Sequence, residues 1–210
     1  REDDRRLFSN PPKLNIIALQ DSQPERLEAL SQDLANTSIA QADLKELLDL
    51  FEHASTFGSL IQIPQTFTQK LHDLETQLNT ALESGDIFSQ QSAQEMLPLV
   101  LQAKLLTKQY DAVIANPPYM GNKYLNPNLK TYLKKNYQGY EKDLFSAFMM
   151  RNLELTKESG QLGFMSPFVW MFISSYENLR THFIDNATIT TLIQLEYSGF
   201  DGATVPICTF

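Results

Sequence analysis

Apolar residues recur at two different spacings along this chain, and the spacing changes near residue 110. In residues 24–109, leucine, phenylalanine and valine return mostly every three or four positions, which is typical of amphipathic helices. From residue 110 onward, short apolar runs alternate with helical patterns, which indicates strands joined by helices. The longest heptad-like stripe ends at Gly85 and consists of Phe67, Leu71, Leu74, Leu78 and Ala81.

The first part of the chain is predicted to be mainly helical. Residues 13–20 (KLNIIALQ) form a short apolar run that predicts a buried strand, and Pro24 then begins a helix. We expect the apolar stripes of residues 24–109 to pack against one another, because this buries them without a partner. The alternative is that they form a docking surface for another protein.

Helix starts in this part are predicted from capping signals. Ser38 and Gln41 fit a capping box, in which two side chains satisfy the free N–H groups of a helix start. Ser92 and Glu95 fit a second one. Pro98 would then lie in the first turns of the last helix, where proline is tolerated.

The second part predicts an α/β fold with a mostly parallel sheet. Asp143 is expected to cap an amphipathic helix, and residues 168–186 are expected to form another helix. Three domain-level segments follow, namely residues 1–23, the helical insertion 24–109, and residues 110–210. The strands are predicted over residues 111–115, 160–167, 188–195 and 203–210.

Composition and charge narrow the class of protein. The 210 residues are 42% hydrophobic and carry a net charge of −8, which favours a globular chain over a disordered one. No apolar run is long enough for a membrane span, so we expect no membrane partner. One cysteine, Cys208, expected as a buried thiol, and three scattered histidines predict neither a disulfide nor a metal site.

A negative net charge disfavours nucleic acid as a partner, but almost all of this charge lies in the first half of the chain. Residues 1–110 carry 9 basic and 16 acidic side chains, whereas residues 111–210 carry 8 and 9. Residues 119–142 reverse the sign, with five lysines, one glutamate and five of the eight tyrosines. Lysines can contact phosphates while tyrosines stack on bases, so this stretch predicts a nucleic-acid surface. A solvated helix with its tyrosines buried is an equal alternative. The candidate phosphate contacts are Lys123, Lys130, Lys134 and Lys135.

The tetrapeptide Asn116-Pro117-Pro118-Tyr119, directly after the strand 111–115, carries the candidate chemistry. Two prolines stiffen the turn and remove two N–H donors, so it presents acceptors without competing donors. The side-chain oxygen of Asn116 adds a further acceptor, and Tyr119 offers a flat ring for stacking. Such a group suits a planar amino group, which becomes a better nucleophile when its hydrogens are held out of conjugation. A plain turn is the structural alternative.

This order of motifs resembles the adenine-N6 DNA methyltransferases of the gamma arrangement. The helix DLFSAFMMR from Asp143, the segment GQLGFMSP and the segment FDGATVPICTF match later motifs of that family. Over a longer range, the sequence is similar to the large phage-defence methyltransferases of the BREX type (PglX) and to single-chain type IIG restriction-modification enzymes. The resemblance implies a Rossmann-like methyltransferase sheet, here partial, with a helical insertion.

The resemblance implies which residues form the catalytic site. Asn116 and the carbonyl of Pro117, in a turn completed by Pro118, accept from the N6 amine of a flipped adenine. Tyr119 stacks on that base, and Phe200 packs on its other face.

For the cofactor, S-adenosylmethionine, the resemblance gives Asp21 as a contact. The segment Gly58-Ser59-Leu60 is a rival for that position. No two of the 8 glycines form GxG, so the glycine-rich cofactor loop of the family is absent and is expected upstream of Arg1.

The predicted function is therefore part of a cytoplasmic DNA adenine-N6 methyltransferase in a restriction-modification or phage-defence system. Its partners would be double-stranded DNA and further subunits of a defence complex. The chain begins at Arg1 and stops in the apolar run 204–210, so we expect a piece of a longer polypeptide that is inactive alone. The alternatives are a protein-glutamine or RNA amino-methyltransferase, and a non-catalytic scaffold.

Overall fold

The computed structural model describes residues 16–196 and 206–210, and these form a mixed α/β fold. The α/β class predicted from the sequence is confirmed. The first part contains α1 (Leu27–Asp33), α2 (Gln41–Phe51), α3 (Ala54–Phe57), α4 (Gln65–Thr68), α5 (Leu71–Ser84) and α6 (Ile87–Thr107). The second contains β1 (Tyr110–Ala115), α7 (Pro127–Asn136), α8 (Leu144–Leu155), β2 (Thr156–Pro167), α9 (Glu177–Asn186), β3 (Ile193–Gln194) and β4 (Ile207–Thr209).

The helices of the first part enclose their own apolar cluster. Helices α5 and α6 form an antiparallel hairpin, and α1 and α2 pack against α6. The stripe residues Leu71, Leu74 and Leu78 are buried in this cluster together with Phe51 and Leu47. The expectation that the stripes pack against one another is therefore confirmed.

The sheet has the order β1-β2-β4-β3, and only β1 and β2 are parallel. Strand β4 runs antiparallel to both β2 and β3, so the expected mostly parallel sheet is corrected to a mixed one. Helix α8 packs against β1 and β2. Above the sheet lies a second apolar cluster that includes Leu133, Phe145, Trp170 and Phe183.

Strand β1 has the predicted position but not the predicted burial. It pairs with β2 on one side, and in the described sheet no strand lies on the other. Ile114 is therefore 85% exposed.

Two predicted strands are wrong or shortened. Within the expected strand 13–20, residues 16–20 are irregular, and residues 13–15 lie outside the described part. The side chain of Gln102 takes the place of a neighbouring strand, because it accepts from the Gln20 N–H and donates to the Gln20 carbonyl. Of the expected strand 188–195, only Ile193–Gln194 is formed.

Both predicted capping boxes are wrong. Helix α2 begins after Ala40, which offers no side-chain cap. Helix α6 begins earlier than expected because the carboxylate of Asp86 accepts from the N–H groups of Phe88 and Ser89. Ser92 therefore lies inside α6, where its hydroxyl donates to Asp33. Glu95 pairs with Arg26.

Two further corrections concern where helices run. Pro98 lies in the interior of α6 rather than in its first turns. The expected helix over residues 168–186 is reduced to two 3-10 turns, Phe168–Met171 and Ser174–Tyr176, followed by α9. Arg180 explains the interruption, because it binds the carbonyls of Trp170 and Ile173 and thus stabilises a non-helical path.

Among the described residues, no helix combines the length and apolarity that crossing a membrane requires.

Candidate active site

Asn116 lies at the carboxyl end of β1, as predicted. The parallel pairing of β1 with β2 runs from Ala112 opposite Gln161 to Ala115 opposite Phe164, so Asn116 follows the last paired residue. In α/β sheets, ligands bind at this end of the strands.

Within the tetrapeptide, the two polar side chains bind each other. The Tyr119 hydroxyl donates to the Oδ1 atom of Asn116 at 3.0 Å. Burial raises the pKa of Tyr119 above its ordinary 10.0. Pro117 is buried while Asn116 and Pro118 are exposed. An amide oxygen has two lone pairs, so Asn116 can accept a second hydrogen bond from a ligand.

The chain that leaves the tetrapeptide is tied to the start of α8. Gly121 forms an isolated antiparallel bridge with Asp143, and the Leu144 N–H donates to the Met120 carbonyl at 3.0 Å. Asp143 caps α8 as predicted, accepting from the Phe145 N–H. Burial raises the pKa of the Asp143 carboxyl, although these N–H donors act in the opposite direction. The tetrapeptide is thus anchored on both sides, by β1 and by α8.

An open cavity of about 520 Å³ runs along β1, at the edge of the described sheet, to the tetrapeptide. Helix α8 contributes Phe148 and Asn152 to its wall, and Asn152 is only 4% exposed. The Nδ2 atom of Asn152 is buried and has no hydrogen-bond partner in the described part of the chain. The cavity is lined by Ser59, Tyr110, Ala112, Val113, Ile114, Ala115, Asn116, Pro117, Pro118, Phe148, Asn152 and Leu155.

Ser59 lines this cavity from the helical part of the chain, and Asp21 does not line it. The Asp21 carboxylate instead accepts from the N–H and the hydroxyl of Ser55, each at 2.7 Å. These hydrogen bonds lower the pKa of Asp21 below its ordinary 3.8. Of the two segments considered for a cofactor contact, Gly58-Ser59-Leu60 contributes one residue, Ser59, to the cavity that Asn116 also lines. The cofactor role of Asp21 stays a prediction.

The lysine-rich stretch separates charged from aromatic side chains. Lys123, Lys134 and Lys135 are exposed and Lys130 is partly exposed. The Lys123 ammonium lies 4.7 Å from the centre of the Tyr124 ring, which is 70% exposed.

Two tyrosines of the same stretch point inward. The hydroxyls of Tyr132 and Tyr137 donate to the Leu60 carbonyl at 3.1 and 2.7 Å. Tyr132 also stacks on Phe57 with ring centres 4.2 Å apart. Burial raises the pKa of both hydroxyls. These two rings therefore have a structural function, whereas Tyr124 is available for a ligand.

Two further residues named from the sequence are Phe200 and Cys208. Phe200 lies outside the described residues. Cys208 is fully buried, as predicted, beside the Ser166 hydroxyl at 3.6 Å. Sequence reasoning did not identify the cavity residues Phe148 and Asn152. The available signal was a polar pair, Arg151 and Asn152, inside the apolar pattern of α8.

The profile of the Eco57I restriction-modification methylase family matches residues 16–200. The chain belongs to this family.

Individual relatives give the match more detail. The adenine-specific methyltransferase BrxX of Escherichia coli O9:H4 (strain HS) is 37% identical over 95% of this chain and 18% of its own length. The adenine-specific methyltransferase PglX of Lacticaseibacillus casei (strain Zhang) is 30% identical over 86% of this chain and 15% of its own length. The Escherichia coli type II restriction enzyme and methyltransferase RM.Eco57I is 26% identical over 74% of this chain and 17% of its own length. The chain therefore spans less than a fifth of these relatives.

Proposed function

We propose that this chain is the catalytic portion of a DNA adenine-N6 methyltransferase that uses S-adenosylmethionine. The single observation that carries the proposal is Asn116 at the carboxyl end of β1, held by Tyr119 and facing a cavity beside the same turn. The relatives named adenine-specific methyltransferases support the choice of adenine. We infer that the protein acts in the cytoplasm, on double-stranded DNA.

The residues of the tetrapeptide explain how a weak nucleophile is activated. The Asn116 oxygen and the Pro117 carbonyl accept the two hydrogens of the adenine N6 amine. Held in this way, the N6 lone pair would be less conjugated with the ring and would become a better nucleophile. The excess proton leaves to solvent once N6 carries its new substituent, so no basic side chain is required. Tyr119 keeps its hydrogen bond to Asn116 and provides the ring against which the flipped base lies.

The cavity beside Asn116 fits S-adenosylmethionine, which when bound supplies the electrophilic methyl group. Phe148 and Pro118 present apolar surface suited to an adenine ring. The unpartnered Nδ2 atom of Asn152 is a buried donor, and adenosine offers ring and ribose acceptors for it. Ser59 also lines this cavity. Further cofactor contacts, including the glycine-rich loop of the family, would come from residues outside this chain.

The exposed lysines of residues 123–135 would hold the DNA backbone while the base is flipped. They lie in the segment that directly follows the tetrapeptide and is tied to α8 through the Gly121–Asp143 bridge. Phosphate contacts at this place set the register of the duplex without reading its sequence. Other subunits of a defence complex are further candidate partners.

The first prediction concerns Asn116 in the full-length protein. Asn116→Ala removes the acceptor, so we expect the kcat for adenine-N6 methylation to fall about 100-fold or more. Affinity for DNA should change little, because Asn116 contributes one contact out of many. Methyl transfer from labelled S-adenosylmethionine and DNA binding in filter assays would measure the two effects.

Tyr119→Phe is the matched variant, since it keeps the ring and removes only the hydroxyl that holds Asn116. Its kcat should fall about tenfold, less than that of Asn116→Ala. Full methylation by Asn116→Ala would contradict the proposal and favour a scaffold. Methylation of RNA or of a glutamine side chain, with none of DNA, would favour a different amino-methyltransferase.

A further inference from the structure

Arg151 is a buried arginine that joins three separate segments of the chain. It lies on α8 and is 5% exposed. Its Nε atom donates to the Ser59 carbonyl at 2.9 Å. Its Nη2 atom donates to the carbonyls of Ile61 at 2.9 Å and Leu106 at 2.8 Å. One guanidinium group thus binds α8 to the segment beside the cavity and to the end of α6.

The charge of Arg151 is compensated where it is buried. Glu154, one turn further along α8, accepts from the Nη1 atom at 3.2 Å. Leu106 is near the last residue of α6, so its carbonyl has no partner within the helix and belongs to the negative end of the helix dipole. The guanidinium therefore satisfies acceptors that would otherwise be buried without a donor.

The segment 59–62 is held along its whole length by the second part of the molecule. The carbonyls of Ser59 and Ile61 accept from Arg151, and the carbonyl between them, that of Leu60, accepts from Tyr132 and Tyr137. The Gln62 N–H donates to the Tyr132 hydroxyl, and its side chain donates to Glu154. Three successive carbonyls are thus bound by side chains of the second part, and these hydrogen bonds fix the orientation of the backbone at Ser59.

An arginine is suited to this task in a way that lysine is not. Its donors lie in one plane and point in several fixed directions, so a single side chain can reach carbonyls on different segments. A lysine ammonium offers a point charge on a flexible stem and cannot fix both Ser59 and Leu106 at once.

On the basis of the function proposed above for the same cavity, we propose that Arg151 is a positioning residue for S-adenosylmethionine. It does not line the cavity beside Asn116. It acts by holding in place Ser59, which lines this cavity together with Asn116. Loss of Arg151 lets the segment 59–61 move and opens the cofactor wall, while the acceptors around Asn116 stay in place.

The test uses the full-length protein and measures cofactor affinity without catalysis. Arg151→Met should raise the Kd for S-adenosylmethionine, measured by calorimetry without DNA, roughly tenfold. The KM for the cofactor should rise by the same factor, with kcat at saturating cofactor changed less than about threefold. Arg151→Lys should recover part of the affinity, because it keeps the charge and one contact.

Arg180→Met is the matched control, since Arg180 also binds two backbone carbonyls, those of Trp170 and Ile173, but does not line the cavity. It should lower thermal stability without changing cofactor affinity. If Arg151→Met fails to fold, the double variant Tyr132→Phe with Tyr137→Phe releases the Leu60 carbonyl instead, and its Kd should rise about threefold.

Three results would overturn the positioning of the cofactor by Arg151. These are an unchanged Kd for Arg151→Met, an equal rise of the Kd for Arg180→Met, or a fall in kcat with no change in KM. The wild-type protein separates this failure from failure of the proposed function. If it neither methylates DNA nor binds S-adenosylmethionine, the function itself is wrong. If it does both and the Arg151 variants behave as wild type, only the positioning is wrong.

Discussion

The two apolar clusters treat their buried polar groups differently. In the helical region, the buried polar side chains of Ser89, Ser92 and Gln102 have partners, and among the described residues of this region the buried side-chain atom without one is Gln77 Oε1. In the second cluster, Ser146 and Asn152 are equally buried, yet Ser146 Oγ and Asn152 Nδ2 have none among the described residues. Two of the three unsatisfied buried side-chain atoms in the described part of the chain therefore lie on one helix, α8, and Asn152 lines the cavity that Asn116 also lines.

Charge separates the same two regions. The acidic excess lies in residues 1–110, whereas the segment after the tetrapeptide exposes lysines. A net charge of −8 thus describes the helical region and not the surface expected to meet DNA.

The largest effect is expected from opening the helical cluster. Phe51 is fully buried, so Phe51→Ala should destabilise this region by about 3–5 kcal/mol. The free energy of opening of the α2 amides, measured by hydrogen exchange, should fall by that amount while α8 stays protected. Phe88→Ala, at a ring that is 65% exposed, should change it by less than about 0.5 kcal/mol. An equal loss of protection in α8 would show that the two clusters unfold together.

An intermediate effect is expected from the lysine surface. Lys134→Glu with Lys135→Glu should weaken DNA binding about tenfold and reduce the slope of log affinity against log salt by about 2. The control reverses Lys45 and Lys70, two exposed lysines of the helical region that pair with Asp49 and Asp43. That control should leave the salt slope unchanged. If both double variants reduced the salt slope of DNA affinity equally, the lysines after the tetrapeptide would have no special role in DNA binding.

The smallest effect is expected from Asp21, and it depends on pH. Because Ser55 lowers its pKa, ionised Asp21 stabilises the folded protein above its ordinary pKa of 3.8, and this is lost as the pH falls through the lower folded value. Asp21→Asn should therefore cost less than about 0.5 kcal/mol near pH 7, since the carboxylate is exposed, and nothing at lower pH. Urea unfolding of both forms between pH 7 and pH 3 would show the difference shrink. A difference that grows on acidification would contradict it.

Local signals in the sequence were sufficient for part of the site. The strand before Asn116 and the Asp143 cap depend on neighbouring residues, and both were predicted. The wrong capping boxes show the limit of such signals, since Asp86 offered a better cap than Ser92. The wall at Ser59 depends on hydrogen bonds from Tyr137 and Arg151, and no periodicity in the sequence shows contacts across such distances.

The hydrogen bond between Arg151 and Ser59 also bears on the order of events during synthesis. The two residues are 92 positions apart. At a synthesis rate of about 5–20 residues per second, Ser59 is therefore made roughly 5–18 s before Arg151. The helices up to residue 107 can fold in that time, because their contacts are mostly local. The cavity wall at Ser59 cannot, and its assembly is therefore a late step that requires α7 and α8 to be in place.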